Sequence, residues 1–192
     1  MSDHPPALAK DSLRREAFAR RDALEADQRA LMSRAITERV LALPELKARD
    51  PVGAYWPIRS EADIREVMAA LHARGQAVAL SQIDHPHLIW RLWRPGDALT
   101  KGGFGVGEPG PDAPTCHPTA LLVPLAAFDR QGGRLGYGKG HFDRSIAELS
   151  RLHPVLAIGI AFGVQEIEAM PLESHDRRLD VVVTEREVIR TG

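Results

Sequence analysis

Residues 120–149 constrain the fold of this chain more than any other stretch. A short apolar run at 120–123 leads into five glycines within nine residues, Gly132 to Gly140, and then into a helical pattern over about 142–149. An apolar run of that length suits a strand buried on both faces, and strands of that kind belong to parallel sheets whose crossovers are helices. The same alternation continues on either side. Residues 52–56 read as a strand, 61–73 as a helix closed by Gly75, 77–80 and 88–93 as strands, and 155–160 and 181–183 as two more. Ahead of them, residues from about 7 to 43 read as two helices, broken near Ala26 and Asp27 and ended by Pro44. This order predicts a three-layer α/β/α fold around a mostly parallel sheet, with ligands gathered at the carboxyl ends of the strands. At 192 residues with 44% hydrophobic content, the chain suits one domain over 1–192, with helices at about 7–43 and the sheet and site at about 51–190.

Glycines let a backbone turn its N–H groups toward an anion, and cations among them neutralise it. Arg134 and Lys139 stand among these glycines, and the helix that follows offers its positive end. The pattern suits a polyphosphate cradle better than a glycine-rich hairpin with surface charges. Two familiar spacings fit it in part. Gly133, Gly138 and Lys139 match G-x-x-x-x-G-K, yet Gly140 stands where a Ser or Thr hydroxyl would hold magnesium. Gly136, Gly138 and Gly140 give G-x-G-x-G, one residue short of the dinucleotide fingerprint. A metal ligand then has to come from elsewhere. Asp143 either holds magnesium or simply occupies a first helical turn, where a carboxylate is favoured anyway. Asp180, at the start of a strand, is the second candidate, while His175 and Asp176 read as turn residues.

Lys10, Arg14 and Arg21 share one face of the first helix. Like charges four apart disfavour a helix slightly, so the stripe suits an anion, although a solvated face is the commoner origin of such a pattern. Ser60 and Asp63 read as a capping box, which leaves Glu61 as a first-turn acid or as a carboxylate for the amine or amide edge of a heterocycle. The Gly/Pro stretch at 94–118 is longer than ordinary connections and is expected to be functional or mobile. Trp56, Trp90 and Trp93 are expected to pack the core or a pocket wall. His85 and His87 lack further partners at zinc spacing, and Cys116 sits in no nucleophile motif.

A formal net charge of −1 gives no support to a nucleic-acid or membrane-surface role. The single cysteine permits no internal disulfide and points to a reducing compartment. No apolar run approaches the length of a membrane span, and no hydrophobic signal core opens the sequence. A cytoplasmic, monomeric enzyme acting on a small charged metabolite is the expectation.

Several motifs then fall in one order: Lys10-x-x-x-Arg14, Tyr55-x-Pro57-x-x-x-Glu61-x-Asp63, Phe104-Gly-Val-x-Glu108-Pro109, and Val123-Pro-x-x-x-Phe128-Asp129. The long glycine motif follows at 132–144, and His175-Asp-x-x-Leu-Asp-x-x-Val-Thr-Glu185 closes the set. The sequence thereby resembles the 5-formyltetrahydrofolate cyclo-ligases, also called methenyltetrahydrofolate synthetases. The resemblance implies a fold of the NagB/RpiA/CoA-transferase type and an ATP- and magnesium-dependent (Mg2+) ring closure of 5-formyltetrahydrofolate, free or polyglutamylated, to 5,10-methenyltetrahydrofolate. In that chemistry the γ-phosphoryl group passes to the formyl oxygen, N10 adds to the formyl carbon, and phosphate leaves. The resemblance assigns the ATP contacts to Lys10 and Arg14 and to the run Gly133, Arg134, Leu135, Gly136, Tyr137. It extends them through Gly138, Lys139, Gly140, His141 and Phe142, with Lys139 and Arg134 as the catalytic cations. Trp56, Glu61 and His141 face the folate by the same resemblance, and Asp143 and Asp180 hold the metal. His141 departs from the Tyr usual in the family, which suggests a changed affinity or pH dependence. The rival to an enzyme is a nucleotide- or folate-binding regulatory module of the same fold. A sugar-phosphate isomerase or acyl-CoA transferase is a second rival, resting on fold analogy alone.

Overall fold

The computed structural model describes residues 6–171, 173 and 176–192. His175 lies outside the described residues. Two helices open the fold, α1 (Pro6–Asp22) and α2 (Ala26–Ala42), with Pro44 ending the second. The sheet is then laid down by β1 (Val52–Ala54), β2 (Val78–Asp84), β3 (His87–Trp93), β6 (Ala120–Pro124), β9 (Leu156–Ile160), β10 (Val181–Val183) and β11 (Val188–Arg190). Helix α3 (Arg65–Ala73) joins β1 to β2, and α4 (His141–Leu149) precedes β9. Two small hairpins lie outside the main sheet: β4 (Leu99–Lys101) with β5 (Gly107–Pro109), and β7 (Ala127–Phe128) with β8 (Arg134–Leu135).

Strand order is β11-β10-β9-β6-β1-β2-β3. The five central strands run parallel, in registers such as Val52↔Val78 and Leu122↔Ile158, and both edges are closed by antiparallel partners. Alternation along β6 explains the layers. Leu122 enters one core with Ile36, Val40, Met68 and Leu71 from α2 and α3, whereas Leu121 and Val123 enter the other with Ile146 and Leu149 from α4. The sheet is therefore covered on both faces, as an apolar parallel strand requires.

Four expectations need correction. Strand 52–56 stops at Ala54, so Tyr55 and Trp56 project beyond the sheet. The helix expected from residue 61 starts at Arg65, with Ile64 as its N-cap and no side-chain cap. Ser60 and Asp63 form no capping box. Ser60 Oγ pairs with Asp22, and Asp63 accepts the Arg65 N–H at 3.0 Å. Stretch 94–118 holds the β4–β5 hairpin, which packs on β2 and β3. Among the described residues no helix is long and apolar enough to cross a membrane.

Candidate active site

The chain leaves β1 toward β2 on one side and reaches β6 on the other, so the carboxyl ends of β1 and β6 flank a topological switch point. A cleft of about 600 Å³ opens there. Tyr55 and Trp56 line it from beyond β1, Pro124 from the end of β6, Lys10 and Arg14 from α1, and residues 134–143 from the glycine segment.

That segment divides in two. Residues up to Leu135 form a hairpin, with Ala127↔Leu135 and Phe128↔Arg134 in register. Gly133 belongs to this half: it is buried, and its N–H donates to Asp129 Oδ1 at 2.8 Å. The chain after it enters β8 and does not turn directly into a helix, and Gly133 is not among the residues that line the cleft. Beyond Leu135 the backbone runs along the cleft. Gly138 and Gly140, at φ of 90° and 65°, turn it into α4. Gly140 is the N-cap of α4 and no side chain caps it, so the first-turn amides remain available to an anion.

Four cations line this cleft. The Lys10 ammonium pairs at 2.7 Å with both Asp176 and Glu173. Burial works to lower its pKa, but the hydrogen bonds and charges of those two carboxylates outweigh it and raise the value. Arg14 Nε donates to the Gly136 carbonyl at 2.8 Å. Arg134 is buried and donates to Asp143 Oδ1 at 2.7 Å, while its Nε has no acceptor among the described residues. Lys139 is exposed on the cleft and has no acidic partner among the described residues. Arg21 is different. It is 1% exposed, donates to Ser60 Oγ at 2.9 Å and to the Tyr137 hydroxyl at 3.3 Å, and lies 4.9 Å over the Phe18 ring. The third member of the α1 stripe thus fastens the helix and does not line the cleft.

The expected metal pair is not brought together. Asp143 faces the cleft, where it accepts Arg134 and the Arg177 N–H at 3.1 Å. Asp180 precedes β10, which runs parallel to β1 and β6, and so sits at the amino pole of the sheet; its carboxylate accepts the Ala157 N–H at 2.7 Å. Asp176 lines the cleft instead. Among the described residues no group of three or more His, Cys, Asp and Glu side chains is set to hold a metal. Magnesium needs only one or two carboxylates when phosphates and waters complete its shell, so Asp143 and Asp176, which both line the cleft, fit it, while Asp180 is not among the lining residues.

On the other wall, Glu61 is half-buried between the Tyr137 hydroxyl, which donates to Oε1 at 2.6 Å, and the Ile58 N–H, which donates to Oε2 at 2.9 Å. Burial raises its pKa against both hydrogen bonds. Trp56 stands edge-on to Trp93 at 5.9 Å and forms part of the wall. Phe142 packs on Trp90, whose indole N–H is held by Ser145 at 2.8 Å. Sequence patterns assigned no role to Glu108 or a cleft position to Asp176, although both stood inside quoted motifs; an acid in a Gly/Pro stretch was the available signal.

His141 lies 5.2 Å from the His85 ring, centroid to centroid. Burial lowers its pKa, followed by Arg144, His85 and Lys139. The unfolded chain therefore takes up the proton first. The stabilisation is whole above the ordinary imidazole value of 6.5 and is lost as pH falls through the lower folded value. His141→Tyr is expected to flatten the acid side of the Tm-against-pH curve, and an unchanged curve would remove the imidazole as its cause.

Comparison with known proteins gives the family. The curated 5-formyltetrahydrofolate cyclo-ligase of Escherichia coli K12 is 28% identical over 177 residues, 88% of this chain and 96% of that protein. That of Mycolicibacterium smegmatis is 32% identical over 149 residues, 72% and 75% of the two chains. The solution structure of Aquifex aeolicus 5,10-methenyltetrahydrofolate synthetase superposes with a TM-score of 0.82 at 29% identity, covering 95% of this chain and 92% of that one. With the family's sequence model matching residues 7–185, the span that holds every cleft residue described above, the chain belongs to the 5-formyltetrahydrofolate cyclo-ligase family.

Proposed function

We propose that this cyclo-ligase closes 5-formyltetrahydrofolate to 5,10-methenyltetrahydrofolate by ATP-dependent activation of the formyl oxygen, with release of ADP and phosphate. The convergence of Lys10, Arg14, Arg134 and Lys139 with the uncapped amides of α4 carries this reading. An N-formyl amide is a poor electrophile. Phosphorylation of its oxygen makes that oxygen a leaving group, N10 adds to the carbon and gives up its proton, and phosphate departs. The residues' task is alignment and charge neutralisation. Lys139 meets the transferring phosphoryl group, the α4 amides and Arg14 hold the neighbouring phosphates, and Trp56 and Glu61 contact the pterin.

Lys10 and Arg134 are paired with Asp176 and Asp143. Arriving phosphates would compete for both cations, and Asp143 and Asp176 would be the carboxylates that hold magnesium, which would supply neutralisation of the phosphate oxygens. On this assignment Asp143→Asn raises the magnesium concentration needed for half-maximal turnover about tenfold. Asp180→Asn leaves it unchanged and costs about 1 kcal/mol of stability through the Ala157 amide. The reverse pattern in a magnesium titration would return the metal to Asp180.

The test is the ultraviolet absorbance of the methenyl product, followed with ADP release in a mixture of protein, 5-formyltetrahydrofolate and magnesium ATP. An ATP-dependent rise is expected. Binding of either ligand without product would favour the regulatory module.

A further inference from the structure

Glu108 is 5% exposed, lines the cleft, and has no place in the chemistry above. It stands on β5, which lies against β2 and β3, and the cleft it lines also has Trp56, Ile83, Leu88 and Val106 as apolar lining, with Ser81 of β2 among them. An ionised carboxylate offers about four acceptor positions. Among the described residues one donor meets this one, the Ile83 N–H, at 3.2 Å to Oε1. A largely buried carboxylate with so few protein partners is completed by water or by a ligand in the cleft it lines. Glu61 is the contrast, since each of its oxygens already holds a donor.

The backbone is shaped around this carboxylate. A Cβ on Gly102 would stand 1.9 Å from Glu108 Cδ and 2.2 and 2.4 Å from its oxygens. Gly102 has a φ of −86°, open to any residue, so contact with Glu108 is what excludes a side chain there.

We propose that Glu108 is a specificity-determining residue that reads the 2-amino and N3–H edge of the reduced pterin. Those two donors are parallel and adjacent, which matches the two oxygens of one carboxylate, and the ring faces meet the apolar neighbours. This assignment rests on the folate reading of the cleft.

The experiment compares 5-formyltetrahydrofolate with its 2-desamino analogue in wild type, Glu108→Gln and Gly102→Ala. Turnover and quenching of tryptophan fluorescence are both measured. The wild type is expected to lose roughly 10- to 100-fold in kcat/KM on the analogue. Glu108→Gln loses a similar factor on the natural substrate, treats the two nearly alike, and keeps its KM for ATP. Gly102→Ala, which displaces the carboxylate without removing it, does the same, so a folding defect in one variant does not decide the matter. Undiminished discrimination in Glu108→Gln, or none in the wild type, overturns the proposal. Failure of the wild type to form methenyl product would sink the cyclisation reading instead, and the same discrimination in folate binding by quenching would still decide on Glu108.

Discussion

Lys139→Ala is expected to lower kcat roughly 10²- to 10³-fold, the loss seen when one preorganised donor to a developing charge is removed. The side chain is exposed on the cleft, between Gly138 and Gly140, and holds no carboxylate among the described residues. Its truncation therefore orphans no buried partner, and Tm should stay near the wild-type value, as for most surface substitutions. The backbone of the loop is held independently, because the Arg144 guanidinium donates to the Lys139 carbonyl. KM for ATP should rise less than kcat falls, since Lys10, Arg14 and the α4 amides still hold the nucleotide. Lys139→Arg keeps the charge but spreads it over a wider, planar group, so partial activity is expected. Arg134→Ala would be a poorer probe: breaking a buried pair leaves the Asp143 charge uncompensated and mixes stability with chemistry. Wild-type turnover in Lys139→Ala would remove the residue from phosphoryl transfer.

The sequence was legible where a local pattern and the fold ask for the same thing. The apolar run of β6 had to be central because both its faces are apolar, and the glycines at 138 and 140 had to mark a turn into a helix because they adopt positive φ. It was illegible where adjacency in the chain is not adjacency in space. Asp180 and Asp176 are four residues apart, yet Asp180 sits beside Ala157 at the amino end of β10 while Asp176 lines the cleft. Arg21 shares a helical face with Lys10 and Arg14, but that face is fully buried at Ala17, and Arg21 meets Ser60 and Tyr137 instead of the cleft. β11 escaped notice because its three residues, Val188–Arg190, carry no alternation long enough to register. Glu61 did acquire a local role, through Tyr137, a residue 76 positions away that no spacing rule connects to it.

Asp129→Ala is expected to destabilise the protein by about 3 to 5 kcal/mol, or about 10 °C in Tm for a domain of this size. Asp129 is 3% exposed and its carboxylate is the acceptor for three backbone amides: Gln131 at 3.0 Å and Gly133 at 2.8 Å on Oδ1, and Met170 at 2.8 Å on Oδ2. Alanine leaves those donors without that acceptor, and for the buried Gly133 and Met170 amides each orphan costs about 1–3 kcal/mol. The first two bonds shape the β7–β8 turn, which delivers Arg134 to the cleft. The third fixes Met170, three residues ahead of Glu173, whose carboxylate holds Lys10 together with that of Asp176. One side chain thus sets the position of both the cation-bearing hairpin and the acidic segment opposite it. Asp129→Asn separates the two effects. Its amide oxygen can still accept Gln131 and Gly133, while its N–H₂ confronts the Met170 N–H. A smaller loss of about 1–2 kcal/mol is expected, with a raised KM for magnesium ATP at a nearly unchanged kcat. Denaturant midpoints and steady-state kinetics on the two variants check this, and an Asp129→Ala midpoint equal to the wild type would show that the hairpin keeps its shape without the carboxylate.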